Sequence, residues 1–185
     1  MLKGIPHILS PELLKVLCEM GHSDRIVIGD GNFPAESVGK NCKVVRCDGH
    51  GVPELLDAIL QVMPLDAYVE KPVSLMEVMK GDPVKTPIWD TYKDIVAHHD
   101  TRGADAVGTI ERFAFYKEAS TAYAIVTTGE SAVYANVMLQ KGVVQLFIRL
   151  VQRVQDAGDV AANLRRIRAV RIAQALRRVQ QLAGR

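Results

Sequence analysis

Cysteine is scarce in this chain of 185 residues, and its arrangement excludes more than it suggests. Cys18, Cys42 and Cys47 are odd in number and only the last two are close together, so neither a disulfide framework nor a paired zinc-knuckle spacing is present. Reduced, mostly buried thiols are the expectation. No apolar run approaches the length of a membrane span, and the N-terminus has no signal-peptide pattern, which favours the cytoplasm. Gly29-Asp30-Gly31 lacks the later glycines of a dinucleotide fingerprint and the Lys-Ser/Thr pair of a P-loop. No Ser/His/Asp or Cys/His arrangement stands out. Nucleotide binding and covalent catalysis lose support together.

Lysine is missing from residues 145–185. Residues 1–144 carry 14 Lys plus Arg against 19 Asp plus Glu, a net charge of −5, whereas residues 145–185 carry 9 Arg against 2 Asp, a net charge of +7. A composition shift of this kind is a boundary signal. It divides the chain into a domain over 1–144 and an extension over 145–185.

Within the first part, strand and helix patterns alternate, the signature of a largely parallel α/β sheet. Ser10 reads as an N-cap before Pro11, with Leu13, Leu14 and Leu17 forming a stripe that ends near Gly21. Arg25 to Gly29 is short, apolar and β-branched, as a central strand should be. After a Gly-Asn-Phe-Pro turn, Val44 and Val45 begin another strand, and Pro53 opens a helix through Leu60. Strand character recurs over Tyr68 to Met79, helical spacing over Pro87 to His98, and a short strand over Ala106 to Ile110. A helix is expected from about Phe113 to Ser120, then strands Tyr123 to Thr127 and Asn136 to Leu139 on either side of a turn at Gly129. In the extension, Leu146, Phe147, Leu150, Val151 and Val154 predict one helix stopping near Gly158, and Asp159 to about Leu182 a second. The fold expectation is three layers, a largely parallel sheet flanked by helices, plus a C-terminal helical hairpin.

Three segments carry a family likeness: Gly21-His22-Ser23-Asp24 with Asp30; Glu111-Arg112-Phe113-Ala114-Phe115-Tyr116; and Gly129-Glu130 followed by Tyr134-Ala135-Asn136. Together they resemble the L-fucose mutarotases, sugar-anomer isomerases of the same superfamily as D-ribose pyranase. The resemblance covers essentially all of residues 1–144. It implies a ribose pyranase-like fold, a ring-shaped homo-oligomer, typically a decamer of two pentamers, and sites near subunit boundaries. Family members end close to Lys141-Gly142-Val143-Val144, so the resemblance implies that the extension is an addition, and an engineered assembly element is the expectation.

Anomer exchange needs the ring oxygen protonated while the anomeric hydroxyl loses its proton. The net proton change is zero, so a general acid and a general base suffice and neither metal nor other cofactor is called for. His22 is the candidate proton donor, its unperturbed pKa lying near the working pH; a carbonyl-capping histidine at a helix end is the alternative. Asp24 could orient it or cap the next turn. Asp30 could bind sugar hydroxyls or hold the His22 tautomer, against an Asx-turn role. Arg112 offers a planar fork of donors, against a salt bridge with Glu111 or Glu118; the resemblance reads arginine at this position as the fucose-type choice, where ribose pyranases carry histidine. Tyr134 and Asn136 would share a side if the segment is extended, and the resemblance assigns Tyr134, Ala135 and Asn136 to sugar binding. Trp89, Phe33 and Phe113 could wall the methyl group of a 6-deoxy sugar.

His98, His99 and Asp100 imitate a metal cluster, but adjacent helical histidines face apart, and a solvated helix end is the better reading. His7 and His50 have no evident partner. The expected partners are therefore L-fucose and further copies of the chain, with possible larger assembly through 145–185. Neither nucleic acid nor membrane is expected, since arginine-rich helices of this composition usually present a solvated face.

Overall fold

The computed structural model describes residues 2–144. Both helices expected in the extension lie outside the described residues. Within them, helix α1 (Pro11–Glu19) leads to strand β1 (Arg25–Gly29), a one-turn helix α2 (Ala35–Val38), β2 (Lys43–Cys47) and α3 (Val52–Val62). Then come β3 (Val73–Met76), α4 (Ile88–His99), β4 (Val107–Ile110), α5 (Arg112–Ala119), β5 (Ala124–Thr128) and β6 (Val137–Gln140). Ser10 does cap α1, its hydroxyl oxygen accepting the Leu13 N–H at 3.1 Å, with proline at the start of the helix where its missing N–H costs nothing.

One sheet contains all six strands in the order β2-β5-β1-β6-β3-β4. The pairs β1–β5, β2–β5 and β3–β4 are parallel, while β6 runs antiparallel to both neighbours, β1 and β3. Five strands thus share a direction and the sixth, in the interior, opposes them. The turn at Gly129 does not make a hairpin: β1 lies between β5 and β6. Segment 129–136 is therefore a crossover at the edge where β1 ends. The turn after β1 also differs from expectation, because Ala35–Val38 close a helical turn that four residues are too few to reveal by periodicity.

Side chains alternate along each strand, and the sheet buries both faces. Ile26 and Ile28 face a core shared with Leu13, Leu17, Leu55, Ile59, Tyr92 and Val96 from α1, α3 and α4. Val27 faces the opposite core, with Phe33 from the turn after β1, Ala35 from α2, and Phe115 and Ala119 from α5. This is the expected three-layer arrangement. Among the thiols, Cys47 is buried and Cys42 half-buried, whereas Cys18 is exposed, a departure from uniform burial. No helix among the described residues is long and apolar enough to cross a membrane.

Candidate active site

The direction of β6 decides where polar groups converge. Being antiparallel, it begins at the edge where β1 and β3 end, so Asn136, just before β6, meets Asp30, just after β1. Register pairs Ile28 and Leu75 with Val137 on either side. The crevice beyond the carboxyl ends of strands is the usual ligand position in open α/β sheets. Here it is a cleft of about 230 Å³ lined by Asp30, Arg112, Tyr134 and Asn136 among others. That is below the roughly 300–1,000 Å³ typical of drug-sized ligands, a size suited to a small metabolite.

Asp30 and Asn136 are both buried and hold each other. Asn136 Oδ1 accepts the Asp30 N–H at 2.8 Å and its Nδ2 donates to Asp30 Oδ2 at 3.0 Å. The Asn32 N–H donates to Asp30 Oδ1 at 3.0 Å, so the Asx-turn role is real and coexists with a place in the cleft. Burial pushes the Asp30 carboxyl above its ordinary value; hydrogen bonds from Asn32, Ala135 and Asn136 oppose the shift and the Glu130 carboxylate adds to it.

Arg112 opens α5 and makes no ion pair with Glu111 or Glu118. Glu118 pairs with Arg25, and the Glu111 carboxylate caps α5 by accepting the Phe113 and Ala114 N–H groups. The guanidinium reaches the Met79 sulfur at 3.1 Å and lies 5.8 Å from the Tyr116 ring centroid. Among the described residues, its Nε is buried without a hydrogen-bond partner. A buried donor left unmade costs about 1–3 kcal/mol, which a ligand oxygen would recover.

Tyr134 is not extended. Its φ of 56° is left-handed, uncommon for a residue with a Cβ. Helix α4 holds it there: Trp89 Nε1 donates to the Tyr134 carbonyl at 2.8 Å and the Tyr92 hydroxyl to the Ala135 carbonyl at 2.8 Å. Ala135 is buried and serves through its backbone. Tyr134 and Asn136 still share the cleft, by a turn instead of a strand, and the Tyr134 hydroxyl donates to Asp82 at 2.8 Å.

Of the three candidate wall aromatics, only Phe33 lines the cleft. A Cβ on Gly29 would lie 2.6 Å from the Phe33 Cβ, so glycine lets Phe33 fold back over the end of β1. There it packs against Phe115 and Tyr116. Phe113 is exposed, and Trp89 acts through Tyr134. Met76, Tyr116 and Val133 complete the apolar lining; Tyr116 and Val133 lie within segments that carry the family likeness without being singled out as site candidates, and no motif marked Met76.

His22 lies at the other edge of the sheet. β1 has five residues at about 3.3 Å each, a span on the order of 13 Å between its ends. Asp30 therefore does not hold the His22 ring. Asp66 does, its Oδ2 lying 3.1 Å from His22 Nε2. Asp24 accepts the Gly21 N–H at 2.6 Å, so it braces the turn. Two of the remaining histidines also have local partners: His99 meets Asp57 at 2.7 Å and His50 has one after all in Glu54, at 3.1 Å, while Asp100 pairs with Arg102. The i,i+4 spacing could have revealed that last pair.

The sequence and the fold have relatives among known proteins. Residues 3–144 match the RbsD / FucU transport protein family. The human fucose mutarotase is 46% identical over 149 residues, covering 78% of this chain and 96% of that protein. A crystal structure of FucU from Bifidobacterium longum has 65% identity and a TM-score of 0.76, covering 77% of this chain and 99% of the other. The fucose mutarotase of Streptococcus pneumoniae, solved in complex with L-fucose, has 48% identity and a TM-score of 0.72, covering 77% and 99%. The chain belongs to the RbsD / FucU family.

Proposed function

We propose that this protein is a carbohydrate isomerase that interconverts the α and β anomers of L-fucose. The observation carrying this reading is the cleft of Asp30, Arg112, Tyr134 and Asn136 in a chain 48% identical to a fucose mutarotase solved with that sugar. Asp30 accepts from sugar hydroxyls, Arg112 donates its unpaired N–H to sugar oxygens, and the Tyr134 phenol and Asn136 amide read the remaining hydroxyls. Ala135 shapes the cleft through its backbone.

His22 supplies the proton. In its protonated form it donates to the ring oxygen as the bond from that oxygen to the anomeric carbon breaks, while a base in the cleft takes the anomeric hydroxyl proton and the aldehyde forms. Rotation about the adjacent carbon bond and the reverse transfers close the other anomer. No atom or charge is gained overall, so side chains can perform every step.

His22 and Asp30 sit at opposite sheet edges, so the proposed site is completed between copies, with His22 of one subunit entering the cleft of the next. Exposed Tyr68 lies beside His22, and exposed Met79, Phe113 and Val133 lie around or near the cleft. Different apolar patches at opposite edges suit a head-to-tail contact, which closes into a ring; a decamer of two pentamers is the proposed form. Residues 145–185 are proposed as a separate extension that adds an assembly contact. The cytoplasm is the proposed location.

Exchange NMR on fucose, ribose and galactose tests the substrate. Fastest exchange on L-fucose supports the proposal; faster exchange on ribose would make the chain a pyranase, and equal rates a broad aldose mutarotase. Mixing His22→Ala and Asp30→Asn subunits tests the shared site. Random assembly leaves about a quarter of the interfaces with both wild-type residues, so about a quarter of wild-type activity should return; no recovery from co-assembled subunits would place both residues in one subunit's site.

A further inference from the structure

Residues 77–87 connect β3 to α4 and supply no side chain to the cleft lining among the described residues, yet one turn within them reaches two residues that do. The Asp82 N–H donates to the Met79 carbonyl at 3.0 Å, and Gly81 adopts a φ of 92°, as the third residue of a type II turn must. At the first position of this turn the Met79 sulfur accepts from Arg112 at 3.1 Å. At the last, Asp82 Oδ2 accepts from the Tyr134 hydroxyl at 2.8 Å. The other Asp82 oxygen is already engaged: Oδ1 accepts the Val84 N–H at 3.1 Å, an Asx turn that fixes the carboxylate plane. Tyr134 is thus held at two points from the same side, by Asp82 at the hydroxyl and by Trp89 Nε1 at the carbonyl.

We infer that Asp82 is a positioning residue that sets the polarity of the sugar site: it takes the Tyr134 hydroxyl proton, so the phenolic oxygen presents only lone pairs to the cleft and must accept a hydrogen bond from a sugar hydroxyl. The charged side chains of the cleft have no such freedom to be set. A guanidinium only donates and a carboxylate only accepts, which fixes Arg112 and Asp30 by their own chemistry. Asn136 has its amide oriented by Asp30, with Oδ1 toward the Asp30 N–H and Nδ2 toward Oδ2. A phenol can do either, and Asp82 makes the choice for Tyr134.

The consequence is a rule about ligands. Asp30 and Tyr134 face the sugar as acceptors with Arg112 as donor, so the cleft takes a sugar whose hydroxyl beside Tyr134 is free to donate. It discriminates against one in which that hydroxyl is missing, alkylated or replaced by a group that only accepts. A sealed site built to bond a hydroxyl rejects the analogue lacking it by several orders of magnitude. Tyr134 is only half-buried, so water can partly replace the lost partner and the discrimination falls to about ten-fold.

The inference rests on Tyr134 reading a hydroxyl of the sugar turned over by the proposed mutarotase, and one arm of its test needs no sugar. The Raman tyrosine doublet, taken as the difference between the intact wild type and Tyr134→Phe, should report a phenol that donates. A phenol that only accepts would overturn the inference whatever the enzyme's activity. Asp82→Asn keeps an oxygen for the Val84 N–H and turns an amide donor toward the Tyr134 oxygen, so the doublet should shift toward an accepting phenol.

Calorimetry with L-fucose and its monofluoro analogues at carbons two, three and four reads the effect on binding, because fluorine cannot donate. At the position where Tyr134→Phe erases the preference, the wild type should favour hydroxyl over fluorine about ten-fold and Asp82→Asn by less than about two-fold. A wild-type preference retained in Asp82→Asn would overturn the inference, as would a preference that Tyr134→Phe erases at no position. So would a loss of L-fucose affinity from Asp82→Asn that is equally large in the Tyr134→Phe background, since bracing the turn alone needs no phenol. If the wild type neither binds nor exchanges L-fucose while the doublet reads as expected in both proteins, the mutarotase reading fails and the assignment of Asp82 to the Tyr134 hydroxyl stands.

Discussion

Two buried aspartates mark the two ends of β1, and they are shifted in opposite directions. Asp66, beside the start of the strand, is held below its ordinary value of 3.8, whereas Asp30, at the end, is raised above it. Donor number does not separate them clearly, since Asp30 receives bonds from Asn32, Ala135 and Asn136. What differs is the balance. Desolvation is the largest influence on both, and the hydrogen bonds prevail over it at Asp66 but not at Asp30, with the neighbouring charge, an imidazole beside Asp66 and the Glu130 carboxylate near Asp30, adding a smaller bias in the same sense. Burial of a carboxylate therefore does not by itself set its protonation.

Removing either partner of the pair at the start of the strand should break this comparison most sharply. His22→Ala is expected to lose about a hundred-fold or more of anomer exchange with the ring intact, measured by saturation-transfer NMR and sedimentation. Wild-type exchange would remove His22 from the mechanism. Asp66→Ala strips the acceptor from several donors at once and should cost on the order of 2–3 kcal/mol of folding stability, read by chemical denaturation; a loss below about 0.5 kcal/mol would mean water replaces the carboxylate freely.

Acid titration sharpens the contrast through its sign. Asp66, with a lowered folded pKa, contributes stability that is present above the unfolded value and is lost as pH falls through the folded one. For Asp30 the raised folded pKa means its charged form penalises folding at neutral pH, a cost relieved as pH falls through that raised value. Asp66→Ala should therefore be most damaging at neutral pH and less so in acid, and Asp30→Ala the reverse. Parallel pH dependences for the two variants would contradict the opposed shifts. The smallest effect is expected from truncation after Val144, which removes no proposed site residue. Activity per subunit should stay nearly unchanged while any assembly beyond about the decamer is lost.

Much of this was legible in the chain. Ser10 with Pro11 marked α1, the Ile26-Val27-Ile28 run marked a two-sided strand, and motif likeness marked Asp30, Arg112, Tyr134 and Asn136, which the fold gathers into one cleft. What escaped was set by contacts distant in sequence. Asp66 follows Pro64 and Leu65 in a loop with no periodic signal, so nothing local ties it to His22. Tyr134 is held left-handed by Trp89, 45 positions away, and by Tyr92, which donates to the Ala135 carbonyl 43 positions along, contacts that alternation rules cannot foresee. The sequence showed two strands on either side of a turn at Gly129 but not the crossover between them, because sequence order hides that β1 occupies the place beside β5.

The reversed interior strand also has a consequence in time. β6 bridges β1 and β3, so until residues 137–140 have left the ribosome, β2-β5-β1 and β3-β4 are separate half-sheets, each with an open edge. Such edges are templates for wrong pairing, and contacts so far apart in sequence form slowly. The vulnerable moment in this protein's life is thus late in synthesis, when nearly the whole domain exists and its keystone does not. Substitutions that weaken β6 should show first as poor yield from the ribosome, before any change in the finished enzyme.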